Sequence, residues 1–399
     1  MKKFIAILLA AMMAVGLLAA CGGSSSDSSS TSESTSDSGS TSEDTTKVLF
    51  FYSAIGDYGF GDQGMKAVKN LEADYGWEWN LVEYGTDSSV AVTSFFDALD
   101  AGWPETGEAY DYVVTTSWYL FDDLINQSED YPDSKFIVYD TGPDKVFDNS
   151  NVWGISFAQN EGSFLCAIFE AYQSQTGVIS TILRSDTPIL NDFGTGWIHG
   201  AKYAKTELGL DVDYLFTYLG ETSSSGTLET CSELFANTDY GAKTDIMYLI
   251  ASDWILSACQ SAYENDVEWV IGVDMDQWQV LHDQGSDDSS THYNKIVTSM
   301  QKKIQESVAW TVAGILDGSL ASGNHAATIA NDGVGLADND NYQSQVSEEV
   351  QSAVNEVKDQ IADGTIEVHS YYDFTGDDGY DKYVEYYTDH DISFEELEG

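Results

Sequence analysis

Residues 47–85 read KVLFFYSAIGDYGFGDQGMKAVKNLEADYGWEWNLVEYG. The apolar run 48–52 predicts a buried strand. Residues 63–75 place apolar side chains at three- and four-residue intervals and predict a helix, and 80–84 predicts a second strand. A strand, a crossing helix and another strand form a βαβ unit, whose two strands lie parallel in one sheet.

The same alternation continues outward. Further strands are expected at 112–116, 136–140, 152–157, 177–182, 213–218, 245–250, 268–274 and 295–299, with helix-period stretches at 90–101, 162–175, 197–208 and 254–264. Ten strands are more than a sheet of ordinary size holds, so an α/β fold of two lobes is expected, each a mostly parallel sheet flanked by helices. No internal repeat stands out.

Ahead of this region lies MKKFIAILLAAMMAVGLLAAC, residues 1–21. Lys2 and Lys3 form a basic head, an uncharged apolar run follows, and Leu18-Ala19-Ala20-Cys21 closes it with small residues before a cysteine. This pattern reads as an export signal over 1–20. The apolar run is shorter than the ~20 residues a bilayer core requires, which argues against a retained spanning helix. The ending resembles the lipobox of bacterial lipoproteins, which implies that Cys21 becomes lipidated and anchors the chain on the extracytoplasmic face of the cell membrane. Residues 21–46, almost wholly Ser, Thr, Asp, Glu and Gly, hold too little apolar surface to fold and are expected to act as a tether.

Composition limits the partners. The formal charge is −51, or −53 once Lys2 and Lys3 leave with the signal, which excludes nucleic-acid polymers and anionic lipid surfaces as docking partners. It also disfavours heavily phosphorylated ligands. Cys166, Cys231 and Cys259 are too few and too scattered for a disulfide framework or a metal site, and the six histidines show no ligand spacing.

In open parallel sheets, ligands bind beyond the carboxyl ends of the strands. Here those ends hold Asp57, Phe60 and Asp62, then Tyr119, Asp140, the stretch 188–196 with Phe193, the turn 251–254 with Trp254, and Asp274. Rings and carboxylates recur together, a pairing that suits a flat small molecule bearing hydroxyls. Gly59-Phe60-Gly61-Asp62-Gln63-Gly64 also fits a dinucleotide fingerprint. The first glycine, however, lies seven residues past the strand, and Asp62 would face the pyrophosphate. No cofactor is expected.

Residues 56–62 (GDYGFGD), 131–140 (YPDSKFIVYD), 161–165, Pro188 with Phe193, 200–203, 271–277 (IGVDMDQ), Thr298-Ser299 with Lys302, and 333–336 form an ordered set of motifs from about 47 to 368. In that order they resemble the basic membrane protein family of nucleoside-binding lipoproteins. The resemblance implies a periplasmic-binding-protein fold of the ribose-receptor type, with a nucleoside, purine nucleosides favoured, held between lobes. It implies stacking of Phe60 on the base, Asp140 at a base or sugar edge, Asp274 on ribose hydroxyls and Lys302 beside the sugar. Three departures are Gly61, where the family has Asn, Phe51-Tyr52-Ser53, which lacks the aspartate many members carry near the start of the loop, and Ala251-Ser252-Asp253-Trp254, where members show A-G-G-T. Trp254 is therefore expected to supply the opposite stacking face.

The expected lobes are 47–154 with 274–318, and 155–273 with 319–370. An acidic, tyrosine-rich extension at 371–399 either packs on a lobe or hangs free. The expected function is solute delivery to the permease of an ABC importer by a monomer that is not an enzyme. A ligand sensor or surface adhesin on the same scaffold, and a nucleoside- or sugar-acting enzyme, are the alternatives.

Overall fold

The computed structural model describes residues 45–57, 59–220 and 223–398. The signal, Cys21 and the tether up to residue 44 lie outside them. No helix among the described residues is long and apolar enough to cross a membrane.

Among the described residues, twelve strands form two sheets: β1 Lys47–Tyr52, β2 Glu78–Glu83, β3 Tyr112–Thr116, β4 Lys135–Tyr139, β5 Val152–Phe157, β6 Val178–Leu183, β7 Asp213–Tyr218, β8 Ile246–Ile250, β9 Trp269–Asp274, β10 Ile296–Lys302, β11 Gly323–Ala327 and β12 Val334–Leu336. The first sheet runs β11-β5-β4-β3-β1-β2, with every pairing parallel. The second runs β12-β10-β9-β8-β6-β7, parallel except for antiparallel β12. Strands such as β3, β5 and β8 are buried along their whole length, as strands covered by helices on both faces must be.

The expected partition of the lobes is corrected by these pairings. Strand β10 continues the second sheet from β9, so the region after 274 stays with the second lobe. Strand β11, by contrast, returns to the first sheet beside β5. The chain thus crosses between sheets after β5, after β10 and again between β11 and β12.

Local chemistry accounts for the helices. Phe60–Tyr75 ends at Gly76, whose left-handed φ of 71° lets its N–H close onto the Glu72 carbonyl. Helices Gln159–Gln173 and Pro188–Thr206 pack with backbones in contact, because a Cβ on Gly196 would lie 2.0 Å from the Asn160 carbonyl oxygen. Cys166, Cys231 and Cys259 are buried free thiols.

The C-terminal extension packs on the second lobe. Tyr214 stacks on His390 with centroids 3.7 Å apart, Phe216 stacks on Tyr387 at 4.7 Å, and the Tyr218 and Tyr383 hydroxyls meet at 2.8 Å. Lys202 Nζ donates to the carbonyls of Asp389 and Ile392 at 2.8 and 2.6 Å. Buried Asp192 fixes the start of the segment, accepting from Ser370 Oγ at 2.6 Å and from the Tyr371 N–H at 2.9 Å. Burial raises its carboxyl to about 6 even with these donors.

Candidate functional site

The carboxyl ends of both sheets face one cleft of about 660 Å³, within the range of small-molecule sites. Seven of the nine expected positions line it: Asp57, Phe60, Tyr119, Asp140, Phe193, Asp274 and Lys302. Three of these seven, Tyr119, Asp140 and Asp274, hold φ of 59°, 63° and 70°. Non-glycine residues avoid this region, and residues held there by their surroundings concentrate at functional sites.

At the inner end, Lys302 from the second sheet meets Asp140 from the first, Nζ to Oδ1 at 2.7 Å, with both side chains almost wholly buried. Trp118 Nε1 donates to Asp140 Oδ2 at 2.8 Å, so each carboxylate oxygen has a partner. The Lys302 ammonium also lies 5.3 Å from the Phe60 ring and 4.7 Å from the Phe193 ring, so rings from opposite lobes flank it. Trp118 packs against Phe60 with centroids 5.0 Å apart. The result is an aromatic slot that ends in a neutralised ion pair.

Asp274 stands beside that pair. Burial pushes its carboxyl up to about 7; Lys302 and the Ser252 hydroxyl oppose the shift, while Asp140 and Asp57 add to it. Gln63 Nε2 donates to the Asp274 carbonyl at 2.7 Å and so ties the first-lobe helix to the end of β9. Gln277 braces the same strand end, donating to the Ser252 carbonyl at 3.0 Å and accepting from the Val273 N–H at 3.1 Å.

Asp57 lines the cleft but is already committed. Its carboxylate accepts from the N–H groups of Gly59, Gly61 and Asp62 at 3.0, 2.8 and 3.2 Å and from the Tyr52 hydroxyl at 2.8 Å. It therefore holds the N-terminus of helix Phe60–Tyr75. An internal carboxylate thus occupies the amides that a pyrophosphate would use in a dinucleotide fold.

Two expected residues are not brought to the cleft. Asp62 accepts from the Gly56 N–H at 2.8 Å and shapes the loop from behind. Trp254 packs against the second lobe's apolar cluster, which includes Leu249, Ile255 and Trp278, and its buried Nε1 finds no acceptor. Phe193, rather than Trp254, is the second-lobe ring that lines the cleft. The cleft also holds Tyr52, Trp118, Arg184 and Asp253, which were not among the expected site residues.

A second chamber of about 610 Å³ adjoins the cleft and shares Tyr119, Thr187 and Ile189 with it. Phe121, Lys145, Tyr371 and Tyr372 line its far side. Neither chamber is lined by a described histidine or cysteine. Among the described residues, no group of His, Cys, Asp and Glu could hold a metal ion.

Two mostly parallel sheets with a polar, ring-lined cleft between their carboxyl ends fit a solute-binding protein. A crystal structure of an ABC transporter solute-binding protein from Aeropyrum pernix K1 has the same fold, with a TM-score of 0.66 at 18% identity over 86% of this chain and 98% of that one. The family model described as "ABC transporter substrate-binding protein PnrA-like" matches residues 45–370, and the chain belongs to that family. It is 24% identical to the "ABC transporter nucleoside-binding protein BmpA" of Lactococcus lactis subsp. cremoris, over 92% of this chain and 99% of that protein. It is 25% identical to a "CD4+ T-cell-stimulating antigen" of Listeria monocytogenes, over 92% and 98%. The chain is an ABC transporter substrate-binding protein of the basic membrane protein family, a class that binds small molecules and presents them to a permease.

Proposed function

We propose that the chain is a lipid-anchored receptor on the extracytoplasmic membrane face that binds a nucleoside, with purine nucleosides favoured, for import. The observation that carries this reading is the set of rings Phe60, Trp118 and Phe193 lining the cleft together with acceptor carboxylates. A planar base stacks on such rings for roughly 1–3 kcal/mol. Asp274 accepts from the sugar hydroxyls, the Asp140–Lys302 pair borders the same end, and Tyr119 stands at the way in. The nucleoside-binding relative supports the same choice.

The test is a thermal-shift screen of nucleosides, free bases, nucleotides and sugars. A nucleoside at about a hundredfold excess over Kd should add about 2.7 kcal/mol of stability. A rise in melting temperature with sugars but with no nucleoside would overturn the reading. Anchoring rests on the leader and is tested separately. Cys21→Ser should leave the chain unprocessed or release it from the membrane fraction, and a processed, membrane-bound variant would argue against a lipid anchor.

A further inference from the structure

The sequence contains a single arginine, Arg184, although it carries a formal charge of −51. That residue follows β6 directly and lines the cleft. Its Nη1 lies 2.8 Å from Oδ2 of Asp253, which stands in the turn after β8 and lines the same wall. The two side chains are 41% and 38% exposed, so the pair contributes little to stability. Nor is it needed to hold the two strand ends together, because the Arg184 N–H already donates to the Ile250 carbonyl at 3.1 Å. Contact through one nitrogen leaves the other guanidinium donors, and one carboxylate oxygen, available to a ligand.

We propose that Arg184 and Asp253 together read the edge of a 6-oxopurine, so that the preferred ligand is guanosine or inosine rather than adenosine. This rests on the nucleoside reading and specifies its base. A guanidinium donates two parallel hydrogen bonds to the adjacent acceptors O6 and N7. Adenine presents an amino donor at the first of those positions, and donor then opposes donor. The free oxygen of Asp253 accepts from N1–H of an oxopurine, where adenine has only a lone pair. Pyrimidines lack the N7 partner. Lys302 cannot substitute, because its ammonium has no planar fork and is committed to Asp140.

Calorimetry of the protein with guanosine, inosine, adenosine and uridine tests this. Guanosine and inosine should bind about tenfold or more tighter than adenosine, the discrimination expected of one bidentate contact. Arg184→Lys keeps the charge but loses the fork, and it should bring the guanosine-to-adenosine ratio close to one while adenosine affinity changes little. Asp253→Asn should lower the ratio in the same direction. Wild-type protein that binds adenosine as tightly as guanosine overturns the proposal without any variant, as does an Arg184→Lys ratio equal to wild type. Nucleosides that bind with no oxopurine preference defeat this inference alone. Failure of every nucleoside to bind defeats the parent reading as well.

Discussion

The cleft holds two ion pairs of like chemistry and opposite setting. Lys302–Asp140 joins the two sheets at 2.7 Å with side-chain exposures of 1% and 5%, whereas Arg184–Asp253 lies within one lobe at 2.8 Å, 41% and 38% exposed. Removing one partner of a buried pair strands a desolvated charge. Removing one partner of an exposed pair lets water replace it. The inner pair is therefore part of the frame, and the rim pair is free to respond to what enters.

Breaking the inner pair gives the largest expected effect. Lys302→Met should destabilise the protein by about 3–5 kcal/mol in urea unfolding, because Asp140 keeps only its Trp118 donor. Adding Asp140→Asn to that variant should recover part of the loss, since the stranded charge is gone; no recovery would mean that the loss comes from packing around Lys302.

Phe60→Ala should weaken nucleoside binding by roughly 1–3 kcal/mol, read by calorimetry, through lost stacking. Unchanged affinity would move the base away from the aromatic slot.

Asp274 offers a pH test. Its folded value of about 7 lies above the ordinary 3.8, so the folded chain takes up a proton that the unfolded chain releases. The cost to stability is therefore full above about 7 and is relieved as pH falls toward 3.8. Ligand hydroxyls favour the ionised form, so binding should strengthen between about pH 6 and 8 with release of a proton. Calorimetry in buffers of different ionisation enthalpy reads that proton. Asp274→Asn should flatten the profile, and a profile already flat in the wild type would remove Asp274 from the sugar contact.

The smallest effect belongs to the rim. Arg184→Gln should change unfolding stability by less than about 1 kcal/mol. A loss matching that of Lys302→Met would erase the distinction between the two pairs.

The inner pair also revises the electrostatics expected of so acidic a chain. Lys302 and Trp118 satisfy Asp140, Arg184 meets Asp253, and backbone N–H groups saturate Asp57, so these carboxylates repel an anion less than their number suggests.

Much of this was legible beforehand. The alternation of apolar runs and helical periods located β1 to β10 within a few residues, since a parallel strand covered on both faces carries its own signature. Strands β11 and β12 carried none: GNHAA and VGL are short and Gly- or Ala-rich, and only pairing with distant partners makes them strands. Missing them, and assigning the stretch that holds β10 to the first lobe, left the lobes wrongly divided. At the site, strand ends pointed to the loops that line the cleft but not to the direction of each side chain. Trp254, expected as the opposite stacking face, packs against the second lobe's apolar cluster and does not line the cleft. Arg184 could have been noticed as the sole arginine of the chain, standing just after a strand.

The extension that packs on the second lobe imposes an order on folding. The side chains of Tyr214, Phe216 and Tyr218 on β7 receive their aromatic cover from residues 383–390, and the Tyr218–Tyr383 contact spans 165 residues. The first sheet lacks only β11 once residue 157 is available, whereas this part of the second lobe stays uncovered until the distant segment arrives. Such long-range closure is slow and leaves apolar surface open to other chains in the interval. The chain is thus most exposed to aggregation, and to helper proteins, while its second lobe waits for that cover.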